Sequence, residues 1–103
     1  MFRITYHVPE SHLEATKTAL FEAGAGQTGG YEDCCWQVKG EGQFRPLPGS
    51  QPFKGREGVL ERLPEYRVEM ICDEAHIGAV VAALKQAHPY EVPSYQVIRV
   101  EDF

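Results

Sequence analysis

Two stretches of this chain, residues 2 to 24 and 66 to 88, carry the same order of hydrophobic and polar positions. In each, an alternation of period two passes into an apolar stripe of helical spacing. Phe2, Ile4, Tyr6 and Val8 fall on one side of an extended segment and Arg3, Thr5 and His7 on the other, as a half-buried strand requires. Tyr66, Val68, Met70 and Cys72 repeat the alternation. Leu13, Thr16, Leu20 and Ala23 then line one face of a first helix, and Ile77, Val80, Val81, Leu84 and Ala87 a wider face of a second. The two units also match at Arg3/Arg67, Glu10/Glu74, His12/His76, Ala15/Ala79, Ala19/Ala83, Leu20/Leu84 and Ala23/Ala87. A duplicated strand-helix unit is therefore expected.

Punctuation residues bound these elements. Pro9 suits a first helical position, while Ser11 with Glu14 has the spacing of a capping box, so two starts remain open for the first helix. Gly24 ends it where a left-handed residue is wanted, Asp73 is a good N-cap for the second helix, and Pro89 stops that helix. Three further strands are expected at Cys34 to Gly40, Gln43 to Leu47 and Tyr95 to Val100, the first two joined by a Gly40-Glu41-Gly42 turn. Pro46 to Gly58, rich in proline and glycine, reads as a covering loop rather than an interdomain linker. Two such units on one sheet predict an α+β ferredoxin-like sandwich, with two helices on one face of an antiparallel sheet and an inserted β-hairpin. The opposite face then shows Thr5, His7, Glu69 and Ile71, a mixture expected of a subunit interface. Trp36, Phe44 and Phe53 lie outside the two units and need cover from the loop or a neighbouring chain.

Length and composition narrow the classes of function. At 103 residues the chain is expected to be a single domain, 1–103, with one modest core. The apolar share of 43% and charged share of 24% are those of ordinary globular proteins. A net charge of −5 with scattered Lys and Arg excludes the electrostatic footprint of a nucleic-acid binder. No apolar run is long enough to span a bilayer. Three cysteines, two of them adjacent, make no even disulfide framework and point to thiols in a reducing compartment, the cytoplasm.

No catalytic constellation emerges, so a non-enzymatic role is expected. Gly24-Ala25-Gly26-Gln27-Thr28-Gly29 has the letters of a dinucleotide fingerprint, but it leaves a helix instead of entering one, so no helix N-terminus meets a phosphate there. Cys34 and Cys35 on a strand would point to opposite faces and could not share one metal without a bulge. His12 and His76 hold equivalent places on the two helices, where convergence about the pseudo-twofold is one reading and solvated surface histidines the better one. His7, on the mixed face, would approach its symmetry mates on oligomerisation. His7 is therefore a candidate ligand for a divalent metal ion.

The sharpest local signal is His88-Pro89-Tyr90-Glu91-Val92-Pro93. Two prolines stiffen the backbone and push His88 and Val92 toward extended conformations, so that Tyr90 and Glu91 sit on a rigid elbow. This is either a helix stop, with His88 capping carbonyls and Tyr90 packed on the core, or a ligand site. The elbow resembles the end of the second helix in CutA-type divalent-cation tolerance proteins, ferredoxin-like trimers related to PII signalling proteins. Gly24-Ala25-Gly26, Gly29 or Gly30, Tyr31, Cys34, Gly40-Glu41-Gly42, Phe44, Pro46, Gly49, Pro52-Phe53 and Gly55 look like the inserted domain of Nif-three-like (Ngg-one-interacting-factor-three-like) proteins.

In that family the PII- or CutA-like insert is a lid over a core with a dinuclear metal site. The resemblance implies that this chain corresponds to the lid alone, so the hydrolase or cyclohydrolase labels of full-length members do not carry over. It implies the sandwich fold and a homo-oligomer, with a trimer favoured, and the likeness to CutA adds Cys34, Cys35 and His88 to His7 as candidate ligands for a divalent metal ion. The expected function is an oligomeric binding or regulatory module that takes a small ligand or divalent metal ion between subunits. Its candidate ligand-binding residues are His88, Tyr90, Glu91, Gly26 and Tyr31. The alternatives are an interaction domain docking on a separate Nif-three-like core or another protein, and, third, an enzyme with an intersubunit active site.

Overall fold

The computed structural model describes residues 1–103. Its strands are β1 (Phe2–Pro9), β2 (Trp36–Phe44), β3 (Glu61–Cys72) and β4 (Tyr95–Arg99), and its helices are α1 (Leu13–Glu22) and α2 (Ile77–Ala87). All neighbours in the sheet are antiparallel, in the order β2-β3-β1-β4. Both helices pack on one face, giving the α+β ferredoxin-like sandwich. The two helices begin at Leu13 and Ile77, with the same offset that relates Arg3 to Arg67, so the sequence repeat is a structural repeat. No helix is long and apolar enough to cross a membrane.

The core is the inward alternation of the central strands against the two helical stripes. Ile4, Tyr6, Val8, Val68, Leu20, Val80 and Leu84 are completely buried. Two polar side chains are admitted because they satisfy each other. The Tyr6 hydroxyl donates to Thr16 Oγ1 at 3.0 Å, and the Thr16 hydroxyl lies 2.8 and 2.9 Å from the carbonyls of His12 and Leu13. Burial pushes the Tyr6 phenol up to about 12, so the ring stays neutral.

Several local expectations change. Neither start proposed for the first helix is used. Pro9 ends β1, a 3-10 turn covers Glu10–His12, and Ser11 Oγ faces His12 Nδ1 at 2.8 Å instead of capping a backbone N–H. Asp73 does accept from the His76 N–H at 3.0 Å, one turn ahead of α2. Gly24 follows α1 with φ +114°, where a side chain would be strained and would also strike the His76 ring.

The Gly40-Glu41-Gly42 turn does not form. These residues run through the middle of β2, opposite Glu65, Pro64 and Leu63 of β3. The hairpin is instead β2 with β3, closed by the loop 45–60. Its far end extends past β1, whose ladder stops at Pro9 opposite Glu65, and this arm gives the molecule its 47 Å long axis. Pro64 is accommodated just beyond that point, where β3 has one neighbour only. Gly42 is tolerated in the strand because the Glu65 side chain fills its Cβ position. The sequence pattern of glycines is thus a side-chain crossing, not a turn.

The path from α2 to β4 is held by one side chain. The buried His88 imidazole donates from Nε2 to the carbonyl of His7 at 2.6 Å, while Nδ1 accepts the Tyr90 N–H at 3.1 Å. The His88 ring therefore caps a β1 carbonyl, and only its backbone N–H, on the Leu84 carbonyl at 2.8 Å, serves the end of α2. Both bonds need the neutral, Nε2-protonated ring, and burial lowers the histidine value in agreement.

Two stability experiments follow from this packing. Leu84→Ala should cost about 2–5 kcal/mol in urea unfolding, against less than about 0.5 kcal/mol for a change at exposed Lys85. Equal effects would mean that α2 is not part of the cooperative core. The unfolded chain protonates His88 near about pH 6.5, before the folded chain does, so the ring's contribution is complete above that pH and declines as pH falls through the lower folded value. Unfolding midpoints should therefore drop between about pH 7 and pH 5, and His88→Gln should flatten that slope. An unchanged slope would assign the pH response to other groups.

Candidate functional site

The elbow His88 to Pro93, the β2–β3 arm and the loop 46–58 together enclose a cavity of about 300 Å³. Each wall follows from a local feature. Pre-proline geometry sets His88 at ψ 135°, which ends α2 and turns the chain back across the sheet end. The two His88 bonds then fix Tyr90, whose hydroxyl donates to Glu65 Oε2 at 2.9 Å. Burial and the Glu65 carboxylate both push the Tyr90 phenol above the usual tyrosine range. The loop closes over this pair through the Gln51 N–H, which donates to Glu91 Oε2 at 2.6 Å, and is braced by the Gly49 N–H on Glu57 at 3.1 Å and the Gly58 N–H on the Pro46 carbonyl at 2.8 Å.

Three aromatic rings face this space. Phe44 and Phe53 lie 6.1 and 6.2 Å from Tyr90 between ring centroids, at interplanar angles of 55° and 45°. Tyr90 also tilts onto the His88 ring at 4.9 Å, and Phe53 meets His12 edge-on at 5.3 Å. The loop thus supplies cover for Phe44, which is half-buried, whereas Phe53, itself on the loop, stays 44% exposed. Trp36 has none and stays 57% exposed.

The helix-free face carries a second arrangement. Cross-strand rows place Val38, Arg67 and His7 side by side, then Trp36, Glu69, Thr5 and Gln96, then Ile71, Arg3 and Ile98. Glu69 joins Arg67 at 2.6 Å and Arg3 at 3.6 Å. His7 Nδ1 lies 3.1 Å from Ser94 Oγ, and these two with Thr5, Arg67, Tyr95 and Gln96 line a polar recess of about 260 Å³. Ser94 lines the elbow cavity as well. A third recess, about 290 Å³, lies among Arg3, Cys34, Cys35, Trp36 and Glu69.

The structure gathers some of the sequence-derived candidates and separates others. His88, Tyr90 and Glu91 come together at the elbow. Gly26 lies toward the other end of β3, its N–H on the Ile71 carbonyl at 2.8 Å and its carbonyl on the Cys34 N–H at 2.9 Å. Counted along β3 from Glu65 to Ile71, that is about 20 Å away. Tyr31 stands 76% exposed on a tight turn paired with Thr28. Cys34 and Cys35 precede β2 instead of lying on it, so the opposite-faces argument does not apply. His7 and His88 meet only through the His7 backbone carbonyl, and no group of three His, Cys, Asp or Glu side chains converges to hold a metal ion. His12 and His76 do not converge either, since His76 packs at the C-terminal end of α1 and His12 stands at its start.

Glu65 is the residue that the sequence reading missed. Its signal was indirect: a glycine two residues before Phe44, in a segment otherwise able to run as strand.

No family model matches the chain. It is 44% identical over 91 residues to the GTP cyclohydrolase 1 type 2 homolog of Mycobacterium leprae, a match covering 88% of this chain and 24% of that protein. The Bacillus cereus protein related to NIF3 superposes with a TM-score of 0.83 at 35% identity, over 98% of this chain and 26% of that one. CutA1 from Pyrococcus horikoshii superposes with a TM-score of 0.71 at 18% identity, over 100% of this chain and 86% of that one, which is a likeness of fold. The chain spans about a quarter of the length of its curated relatives and nearly the whole of a CutA chain. Its likeness in sequence is to one segment of those longer proteins, and its fold is that of CutA.

Proposed function

We propose that residues 1–103 act as one CutA/PII-like domain, a non-enzymatic binding or regulatory module that assembles with copies of itself. The observation that carries this reading is the helix-free face, where Trp36, Val38 and Ile98 are 57%, 44% and 47% exposed around the Arg3–Glu69–Arg67 group. A second copy is the occupant that best fits a face carrying both apolar side chains and paired charges of both signs. The sheet measures about 14 by 26 Å from its strand spacing and the length of β1, which falls short of the roughly 800 Å² per partner of a stable interface. Each copy must therefore add a further surface. The nine-residue edge strand β2, exposed along most of its length, supports a closed ring of three, in which every copy uses face and edge.

Clefts of such a ring would bring Gly26 and Tyr31 of one copy toward another, and would gather His7, Cys34 or Cys35 from several copies around a divalent ion. His88 contributes to the elbow by holding Tyr90 and Glu91, since both its ring nitrogens are engaged within the chain. The three free thiols support a reducing, cytoplasmic setting. The activity named for the relatives is not assigned to this chain, because it spans only a quarter of them. An intersubunit active site at His7 and Ser94 has the least support, resting on one 3.1 Å contact.

The same coverage favours a second reading, in which the module docks on a separate NIF3-like core. Sedimentation equilibrium at micromolar concentration separates the two. A trimer that falls to monomer in Trp36→Asp supports self-assembly through the open face. Monomer throughout would overturn it, and a pull-down that retains a NIF3-like core would then favour docking.

A further inference from the structure

We propose that the cavity between the 46–58 loop and the elbow binds a small organic ammonium group, held against the Phe44, Phe53 and Tyr90 rings and balanced by the Glu65 and Glu91 carboxylates. This deepens the binding-module reading and rests on it, because it names the ligand class of one site. At about 300 Å³ the cavity stands at the small end of ligand sites, so it suits a compact group better than a nucleotide. Phe44 and Phe53 are each tilted against Tyr90 instead of stacked on it, and a cation gains from the faces of several such rings at once.

Charge points the same way. Glu65 cannot turn aside, since Tyr90 holds Oε2 and Oε1 lies in the notch that Gly42 leaves. Glu91 is fixed by the Gln51 N–H. Lys54 is the one basic residue of the lining and is exposed, so two carboxylates face one ammonium and the cavity is net negative. An anion would be repelled, and an uncharged ligand would gain nothing from the charge of the two carboxylates.

The test is titration of the full chain with choline, with neohexanol as its uncharged carbon analogue, and with inorganic phosphate, read from the ring resonances of Phe53 and Tyr90. Choline should shift both rings saturably and bind at least about tenfold tighter than neohexanol. Glu65→Gln, which keeps an acceptor for the Tyr90 hydroxyl, and Phe53→Leu should each weaken choline about tenfold, while Lys54→Gln should strengthen it. Phe53 lies on the exposed loop, so its variant stays informative if Glu65→Gln fails to fold. Absence of saturable choline shifts, equal binding of neohexanol, or phosphate binding that is lost in Lys54→Gln would each overturn the ammonium assignment. Equal neohexanol binding would leave the binding module standing with a different ligand, and self-assembly is judged separately by sedimentation.

Discussion

One imidazole sets the geometry of the functional end of this molecule. The His88 ring is both donor and acceptor only while it is neutral, and it uses both capacities within the chain, on the His7 carbonyl and on the Tyr90 N–H. The two bonds convert a helix stop into a defined corner. Without them Pro89 would still end α2, but the following residues would be held only by the Tyr90–Glu65, Gln51–Glu91 and His7–Ser94 contacts. With them, Tyr90 lands on Glu65, Glu65 on Gly42, and Glu91 on the loop that folds back from the β2–β3 arm. Every wall of the cavity traces to that ring within two or three contacts.

The other half of the molecule is governed by one-sidedness. Ile4, Tyr6 and Val8 of β1 and Val68, Met70 and Cys72 of β3 form one core with Leu13, Leu20, Val80 and Leu84 of the helices. The opposite face is left with alternating positions that the core does not need, and these hold arginines, a glutamate, His7 and a few exposed apolar side chains. Surface ion pairs such as Arg67–Glu69 add little stability in water, typically less than about 1 kcal/mol. Their value lies in keeping an otherwise sticky sheet soluble and selective about what covers it.

The sequence made the core legible because period and repeat agreed. Alternation in residues 2 to 8 and 66 to 72 and the stripes led by Leu20 and Leu84 reappear as the core, buried at most positions and half-buried at Phe2, Tyr66, Ala23, Ile77, Val81 and Ala87. The elbow was also legible, since two prolines and the residues before them restrict backbone without tertiary help. What could not be read was long-range. Gly40-Glu41-Gly42 looked like a turn because glycine signals freedom, whereas its strand conformation depends on Glu65 arriving from another strand. The Ser11 capping box lost to a 3-10 turn that aligns the Thr16 hydroxyl with Tyr6, a demand of the core. Phe44, Phe53 and Tyr90 are far apart in sequence and meet only because loop and elbow are tied across Glu91.

A regulatory role asks that events at a ligand site alter an assembly surface, and the architecture meets this through a short path. Ser94 lines the elbow cavity and the polar recess of the open face alike. Its carbonyl accepts the His7 N–H and its hydroxyl faces His7 Nδ1, each at 3.1 Å. His7 in turn is the residue whose carbonyl receives His88. Displacement of the elbow therefore cannot leave the row of His7, Arg67 and Val38 untouched. Contiguity alone does not make a switch, which needs an element with two arrangements of nearly equal energy. The 46–58 loop, joined to the elbow by the Gln51–Glu91 hydrogen bond and carrying most of its side chains in solvent, is the element beside the cavity that is best placed to supply them.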